Sequence, residues 1–472
     1  MSTDTETHRD TRKEDQVGFW EKLAFGVGTT PVFYAIAGVG SFAIPVYQMT
    51  LKVNPFLFGV ALALPRFLDA FFDTMMGRIS DNTHSRWGRR KPYIVAGAFI
   101  QAFFFGAIWM VPTTWSSPAI VTYLIGSQIL FYVGFTIYSV PYSSLGYEMT
   151  PDYNERTSVW SFATFFNKLG EFGYNWIFPL TTLAVFGSVI QGVHIVGWGV
   201  AIVIFCALGV IPGLFVKERY FKKAVKQEKV RIWPALKAAG SNRAFMVLIG
   251  LTALQIGAGM LASNIDYYLI VYYMFGGDIA EGSKWKALLS SSYAVLGLIW
   301  IFPVSWLAKR YGKHITLGIS FALVLLGAAG KWYLYTPGHP WKILFDCVLC
   351  GPVWVAIYAL TPSMLADICD DDELRHGLRR EGVFGALLSW MQKTGYSFGF
   401  LGAMITLALT GFNAANVGGV QTHDTILSMR LVLTVSTALW AIVALLLLAF
   451  YPLTRRRAYE IRDALEARRG KV

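Results

Sequence analysis

Apolar residues run in long stretches along this chain and are separated by short polar segments. Residues 94–111, 121–140 and 431–451 contain no charged side chain. At about 1.5 Å per residue, each stretch can cross a hydrocarbon layer of about 30 Å as a helix. The pattern predicts an all-α membrane protein with twelve transmembrane helices, at residues 23–47, 56–79, 93–111, 119–147, 158–186, 193–216, 244–274, 287–307, 315–335, 342–366, 383–411 and 428–453.

The composition agrees with a membrane protein and not with a soluble one. Of the 472 residues, 55% are hydrophobic and 15% are charged, whereas a soluble domain usually carries about 25% charged residues. The formal charge of +12 could suggest a nucleic-acid partner. The apolar spans exclude that class, together with secreted, fibrous and disordered proteins.

The basic residues instead indicate the topology. The two termini and the loops on their side of the membrane hold 31 of the 41 Lys and Arg, the opposite loops hold four, and the spans hold six. By the positive-inside rule both termini are predicted to be cytoplasmic. Residues 1–22 form a polar cytoplasmic segment and do not resemble a cleaved signal peptide. We expect a multi-pass protein of the bacterial inner membrane.

A basic segment near the middle of the chain divides the spans into two sets of six. Residues 217–243 carry nine basic and two acidic residues and are predicted to be a cytoplasmic linker between helix bundles at 23–216 and 244–453, with a basic cytoplasmic tail at 454–472. A loop with an aromatic residue, a glycine and basic residues follows the second span of each bundle. Its glycines, Gly88 and Gly312, are 224 residues apart, which indicates a duplicated fold of the kind many transporters have.

Three ionisable residues in the second span are the most informative. Arg66, Asp69 and Asp73 lie at positions i, i+3 and i+7, which places them on one face of a helix near mid-span. A charge at that depth costs about 2.5–3.5 kcal/mol and needs a partner or a function. The second carboxylate favours a site for a small cation or a proton, although structural pairing alone is the alternative.

Other spans also carry polar residues that could face a substrate. Lys168 and Glu171 share one face of the fifth span, where they could also simply neutralise each other. Asp266 lies in the seventh span near its external end. Lys393 in the eleventh span can pair with the carboxylates of the other half. The remaining substrate-site candidates flank that lysine: Trp390 and Gln392.

The sequence contains no recognisable catalytic or nucleotide-binding motif. It has no Walker-type glycine loop, no GxSxG and no HExxH. Cys347 and Cys350 form a CxxC without the second Cys/His pair that zinc would need, and we interpret them as small buried hydrophobic residues. We therefore expect neither an enzyme nor a cofactor, and no metal beyond a sodium ion at Asp69 and Asp73.

Three stretches of the chain resemble the glycoside–pentoside–hexuronide cation symporters of the major facilitator superfamily, the family of melibiose permease. They lie in both halves and read RFLDAFFD at 66–73 followed by DNTHSRWGRRKP at 81–92, PYSSL at 141–145 followed by MTPDYNERT at 149–157, and ADICD at 366–370 followed by RREG at 379–382.

The resemblance implies roles for individual residues. Asp69 and Asp73 match the family's cation-site aspartates, with Thr136 as a further ligand. Lys393 matches the lysine that couples the ion to the substrate, beside Arg66. The resemblance also implies a cytoplasmic gate that links the halves and includes the superfamily's signature loop. Its residues are Asp81, Arg86, Gly88, Arg89, Lys91, Arg156, Asp367, Asp370 and Arg379.

The chain also departs from melibiose-type members. Phe72 stands where they have an asparagine between the two aspartates, which leaves open whether sodium or protons are coupled. The positions at which melibiose-type members bind the sugar are occupied here by Phe33, Ser139, Thr164 and Ser143.

The resemblance implies a monomeric secondary transporter that couples a sodium ion or a proton to a sugar or glycoside by alternating access. The alternatives are a lysophospholipid or other amphipathic solute on the same fold, and a non-transporting membrane sensor.

Overall fold

The structure is a computed structural model that describes residues 16–83, 85–150, 153–218, 240–376, 381–413 and 421–469, and every regular element in those ranges is helical. The prediction of an all-α fold is confirmed. The division of the chain at 217–243 stays a prediction, because residues 219–239 lie outside the described residues.

The described part of the N-terminal half contains nine α-helices, and several predicted spans are divided between two of them. A seven-residue π-helix at Ile44–Thr50 continues the second helix, and another at Ala201–Leu208 joins the eighth to the ninth. Asn54 caps the third helix, since its side chain accepts hydrogen bonds from the backbone of Phe56 and Leu57 at 3.0 and 3.3 Å. The helices are α1 Phe19–Val27, α2 Thr29–Ala43, α3 Pro55–Asn82, α4 Lys91–Ile108, α5 Ser117–Glu148, α6 Tyr153–Tyr174, α7 Ile177–Thr181, α8 Val189–Val200 and α9 Gly209–Phe215.

The C-terminal half has longer, less interrupted helices. A π-helix at Leu269–Met274 continues the first of them, and a short 3₁₀ helix at Pro340–Phe345 precedes the fourth. Asn242 and Asp278 cap the first two through side-chain oxygens, which accept from the backbone of Phe245 and Glu281. The helices are α10 Arg243–Tyr268, α11 Ile279–Tyr311, α12 Lys313–Leu334, α13 Asp346–His376, α14 Glu381–Leu409, α15 His423–Ala449 and the tail helix α16 Arg455–Arg469.

Eight helical segments in the described ranges are long and apolar enough to cross a membrane: Lys91–Ile108, Ser117–Gly146, Val189–Phe215, Arg243–Met274, Ile279–Tyr311, Lys313–Leu334, Pro340–Arg375 and His423–Ala449. They match eight of the twelve predicted spans. The other four predictions fall on α1–α2, α3, α6–α7 and α14, which are helical but more polar or more interrupted. Twelve spans and the cytoplasmic placement of the termini stay predictions.

The backbone repeats itself between the halves with the same offset of 224 residues that separates Gly88 and Gly312. The π-helix Ile44–Thr50 corresponds to Leu269–Met274. Directly after them, Lys52 has φ +56°, and its counterpart Gly276 has φ +59°. Lys52 is the one non-glycine residue with positive φ in the described chain.

The hydrogen bonds that end these two π-helices also correspond. The backbone amide of Val53 donates to the carbonyl of Tyr47 at 3.0 Å, and the amide of Gly277 donates to Val271 at 2.9 Å. Both pairs are related by 224 residues. The duplicated fold therefore extends to the backbone conformation of the chain that follows the first predicted span of each half.

The packing of the two halves differs between the two ends of the molecule. At the end that holds the π-helices 44–50 and 269–274, one buried apolar cluster includes residues of both halves. There, the Phe400 ring packs against Gly40, where an added Cβ would lie 2.2 Å from it. At the other end, each half has an apolar cluster of its own. The halves are thus packed together at the predicted external end.

Candidate ion and substrate site

Three side chains of the N-terminal half form a compact group of oxygen atoms. The hydroxyl of Thr136 on α5 donates to Asp69 Oδ1 at 2.9 Å and lies 3.3 Å from Asp73 Oδ1. Asp69 and Asp73 are one turn apart on α3, which is why a single hydroxyl on the neighbouring helix reaches both. Asp69 and Thr136 are 4% and 2% exposed. The candidate ligands Asp69, Asp73 and Thr136 therefore lie together in the structure.

Lys393 on α14 reaches this group from the C-terminal half. Its Nζ donates to Asp69 Oδ2 at 3.0 Å and forms an ion pair with Asp73. The side chains of Lys393 and Asp73 are 26% and 29% exposed, whereas that of Asp69 is 6% exposed. The ammonium thus contacts both carboxylates of the predicted cation site, of which Asp73 is the more exposed.

Arg66 lies one turn before Asp69 but binds elsewhere. Its guanidinium donates to the backbone carbonyl of Ile36 on α2. It also lies 5.6 Å from the ring centres of Tyr132 and Tyr396, and the hydroxyl of Tyr396 is 2.8 Å from that of Tyr358. An Arg66–Asp69 ion pair, one possibility raised by the i, i+3 spacing, is not among the ion pairs of the described residues. Arg66 instead joins two helices of the N-terminal half to α14.

The fifth predicted span holds an ion pair of its own. Lys168 Nζ lies 2.6 Å from Glu171 Oε2, with the two side chains 40% and 28% exposed. Lys168 and Glu171 are therefore paired with each other, as the alternative interpretation of the sequence proposed. On α14, Trp390 is 50% exposed and Gln392 is half-buried, both within one turn of Lys393.

Asp266 belongs to a second buried charge cluster within the C-terminal half. Lys286 Nζ lies 2.5 Å from its Oδ1, and the hydroxyl of Tyr335 is 3.5 Å from its Oδ2. Beside them, Lys331 and Asp346 form an ion pair at 2.6 Å with 5% and 1% exposed side chains. The sequence analysis did not single out Lys331 and Asp346, although their charges in apolar surroundings were a usable signal. The cluster joins α10, α11, α12 and α13.

The predicted signature loop is held by two acidic residues that sequence reasoning missed. Arg89 and Arg90 bind Glu148 Oε1 at 2.9 and 2.7 Å. The carboxylate of Glu218 accepts hydrogen bonds from three consecutive backbone amides, of Arg89, Arg90 and Lys91, at 2.8, 2.9 and 3.1 Å. A carboxylate at that position stabilises the N-terminus of α4.

Gly88 is required by this loop on two counts. Its φ is +110°, and an added Cβ would lie 2.7 Å from Glu218 Oε1. Arg86 is exposed. In the C-terminal half, Lys313 follows Gly312 as Arg89 follows Gly88, and it pairs with Asp367 at 2.5 Å. Arg89 and Asp367 thus have partners within their own halves.

The other predicted gate residues are only partly described. Asp370 is half-buried on α13. Arg379 lies outside the described residues, as do the side chains of Asp81 and Arg156. A gate that links the halves stays a prediction.

Comparison of the chain with models of protein families identifies the family to which it belongs. The model of the family described as "MFS/sugar transport protein" matches residues 24–455. The chain belongs to this family. The predicted membership of the glycoside–pentoside–hexuronide group is confirmed, and so are a multi-pass membrane transporter and a function other than enzyme catalysis.

Individual relatives extend over nearly the whole chain. An uncharacterized symporter of Synechocystis sp. is 26% identical and covers 96% of this chain and 98% of its own. The isoprimeverose transporter of Lactiplantibacillus pentosus is 23% identical over 88% and 85% of the two chains. The mouse sodium-dependent lysophosphatidylcholine symporter 1 is 24% identical over 98% and 91%.

A solved structure shares the fold. The bacterial homologue of the human lysosomal transporter Spinster, in an inward-facing and unoccupied conformation, has a TM-score of 0.65 and 12% identity, covering 97% of this chain and 98% of its own.

Proposed function

We propose that this transporter is a symporter that couples a sodium ion or a proton to the movement of a sugar or glycoside. The observation that carries the proposal is the contact of Lys393, from the C-terminal half, with both Asp69 and Asp73, from the N-terminal half. One ammonium occupies the carboxylates that a coupling cation needs. The ion and the packing of the two halves are therefore linked through the same atoms.

In the proposed cycle, the cation competes with Lys393. When the cation neutralises the carboxylates, the ammonium leaves them and becomes available to a substrate hydroxyl. Because Lys393 lies on α14 and the aspartates lie on α3, its release also weakens a contact between the halves. Binding of the ion and binding of the solute thereby favour the same rearrangement. The resulting coupling free energy between the two ligands is typically about 1–3 kcal/mol.

The coupling ion is either sodium or a proton. Two carboxylates and the Thr136 hydroxyl supply oxygen ligands of the kind a hard cation uses, whereas a proton needs only one carboxylate. Phe72, which is half-buried, contributes no oxygen from the position between the aspartates.

A sugar or glycoside is the proposed substrate class because of the family and the isoprimeverose transporter among its relatives. Trp390, Tyr358 and Tyr396 lie near Lys393 and Arg66 and could provide ring faces and hydroxyls for a sugar. We also propose that the monomer is the functional unit, since one chain supplies the whole ion site.

A lysophospholipid is the second candidate substrate, and the surroundings of Phe33 favour it. Its ring packs edge-on against Tyr174 at 5.8 Å and Tyr34 at 6.3 Å. That aromatic surface replaces a sugar-binding carboxylate and would suit an acyl chain. The mouse lysophosphatidylcholine symporter among the relatives agrees with this candidate.

Uptake into proteoliposomes tests the proposal. A panel of radiolabelled sugars, glycosides and lysophospholipids is offered under an imposed sodium gradient or proton gradient. Asp73→Asn should abolish accumulation against a gradient, because it removes one of the two charges that bind the cation. Asp424→Asn is the matched control, since the Asp424 side chain is 99% exposed and its helix, α15, supplies none of the candidate ion-site residues.

The outcomes separate the candidates. Accumulation of one glycoside under one of the two gradients supports the first proposal and names the ion. Accumulation of lysophospholipid alone keeps the mechanism and changes the substrate. Accumulation that persists in Asp73→Asn would show that the ion site is elsewhere, and no movement of any solute by folded protein would favour the sensor.

A further inference from the structure

A groove opens on the surface of the C-terminal half between α12 and α15, and none of its lining residues belongs to the candidate ion site. It has a volume of about 480 Å³. The residues that line it on α12 include the small Gly318 and Ala322, and the larger apolar side chains that line it are Ile315, Ile319, Leu445 and Leu448. Both helices are among the eight that are apolar enough to cross a membrane. The medium that this groove faces is therefore the hydrocarbon of the bilayer.

Two arginines and a histidine lie at the end of the groove that is predicted to be cytoplasmic. His314 is part of the groove itself. Arg455 is next to it, because a Cβ added at Gly312 would lie 3.2 Å from Arg455 Cβ and 3.6 Å from His314 Nδ1. Arg243 lies 5.7 Å from the ring centre of Phe450, which directly follows the groove residue Ala449.

Two acidic residues of α16 and α13, Glu460 and Asp367, have other partners. Glu460 accepts hydrogen bonds from Arg456 and Arg457 at 3.0 and 3.1 Å. Those bonds, that from Arg457 foremost, hold the pKa of Glu460 below its usual value. Asp367 is paired with Lys313. Arg455 and Arg243 are exposed, and Arg455 retains donors beyond the one it gives to the Arg310 carbonyl.

We propose that this groove binds an anionic phospholipid of the bilayer, with one acyl chain between α12 and α15 and the phosphate between Arg243, His314 and Arg455. Basic pockets between transmembrane helices on the cytoplasmic side recognise such headgroups. The apolar walls select a chain, and the cations select a negative headgroup over a zwitterionic one. The lipid would connect α10, α12, α15 and α16 at the cytoplasmic end of the C-terminal half.

Native mass spectrometry of the full-length protein in detergent tests the proposal without measuring transport. Phosphatidylglycerol and phosphatidylcholine with identical acyl chains are titrated separately, and lipid-bound protein is counted. The wild type should retain phosphatidylglycerol preferentially. The double variant Arg243→Gln/Arg455→Gln should lose that preference by roughly thirtyfold, at about 1 kcal/mol per cation. Arg456→Gln is its control, because Arg456 is engaged by Glu460.

A second variant tests the groove independently of charge. Gly318→Leu places a side chain beside Leu448, whose Cδ2 would be 3.3 Å from the new Cβ, and should reduce phosphatidylglycerol retention several-fold. Gly330→Leu, the same change on the same helix outside the groove, should leave it unchanged. Equal retention of the two lipids by the wild type, or unchanged retention in both test variants, would overturn the proposal.

Discussion

At the scale of single residues, Lys393 has two effects that can be separated experimentally. It pairs with the carboxylates of Asp69 and Asp73, and in the proposed cycle it competes with the cation for them. Lys393→Met should lower the thermal stability in buffer without the coupling ion, because a buried charge that loses its partner costs about 3–5 kcal/mol. Added coupling ion should raise the melting temperature more in this variant than in the wild type, since binding to the folded state alone stabilises it.

The measurement is a thermal unfolding series in detergent over sodium concentration and, separately, over pH. Lys284→Met is the control, since Lys284 pairs with Glu281 at 3.0 Å with side chains 50% and 42% exposed. A variant whose melting temperature no longer responds to either ion would contradict competition between Lys393 and the cation.

The sequence was sufficient to find part of this site. The spacing of Asp69 and Asp73 places them on one face of a helix, and a lysine in an apolar span was an evident candidate partner. Spacing along one helix could not decide whether Arg66 pairs with Asp69 or with the Ile36 carbonyl, because both are within reach of a long side chain. The contact between Lys393 and Asp73 joins residues 320 positions apart, and only the fold brings them together.

At the scale of elements, the segments that follow the π-helices 44–50 and 269–274 share one backbone conformation but have different residues. Lys52 adopts a left-handed backbone that costs a non-glycine residue about 1–2 kcal/mol, whereas Gly276 adopts it without that cost. Lys52→Gly should therefore raise the melting temperature by a few degrees.

Gly276→Ala is the reciprocal test and should lower the melting temperature by a similar amount. Nothing lies within 4 Å of a Cβ added at Gly276, so the backbone conformation alone is responsible. Differential scanning fluorimetry of the two variants beside the wild type checks both. Changes of the same sign in the two variants would disprove the correspondence of the two segments.

Membrane-spanning helices could be predicted where the sequence is mostly apolar, and their interruptions could not. The eight segments with continuous apolar residues match eight predicted spans, since hydropathy alone marks them. The π-helices were not predicted, because a shift from i→i+4 to i→i+5 hydrogen bonds leaves no pattern in residues such as IPVYQMT at 44–50 or LIVYYM at 269–274. The repeat was visible only at Gly88 and Gly312, where positive φ restricts the residue type.

At the scale of the whole molecule, Phe400 on α14 packs against Gly40 on α2 at the predicted external end, where one apolar cluster includes residues of both halves. Because the Phe400 ring occupies the space beside Gly40, Gly40→Val should push the halves apart there and favour the state open at that end. Spin labels at Lys52→Cys and Lys284→Cys, in a variant without the four native cysteines, should report a longer distance by double electron–electron resonance.

Gly126→Val serves as the control for that experiment, because nothing lies within 4 Å of a Cβ at Gly126. A distance distribution that does not change in Gly40→Val would show that another contact closes this end. The sequence predicted two halves from the basic linker, but the end at which they are packed together depends on contacts between residues such as Gly40 and Phe400, which no local pattern reveals.

The ion pair between the halves has a consequence for the response to membrane voltage. With Arg66, Asp69, Asp73 and Lys393 all ionised, the empty site carries no net charge, so the empty carrier can reorient without moving charge across the field. With one cation bound, the same site carries one positive charge, for which 100 mV supplies about 2.3 kcal/mol. An inside-negative potential should therefore accelerate uptake and leave the reorientation of the empty carrier unaffected. Current recordings on solid-supported membranes can resolve the two steps.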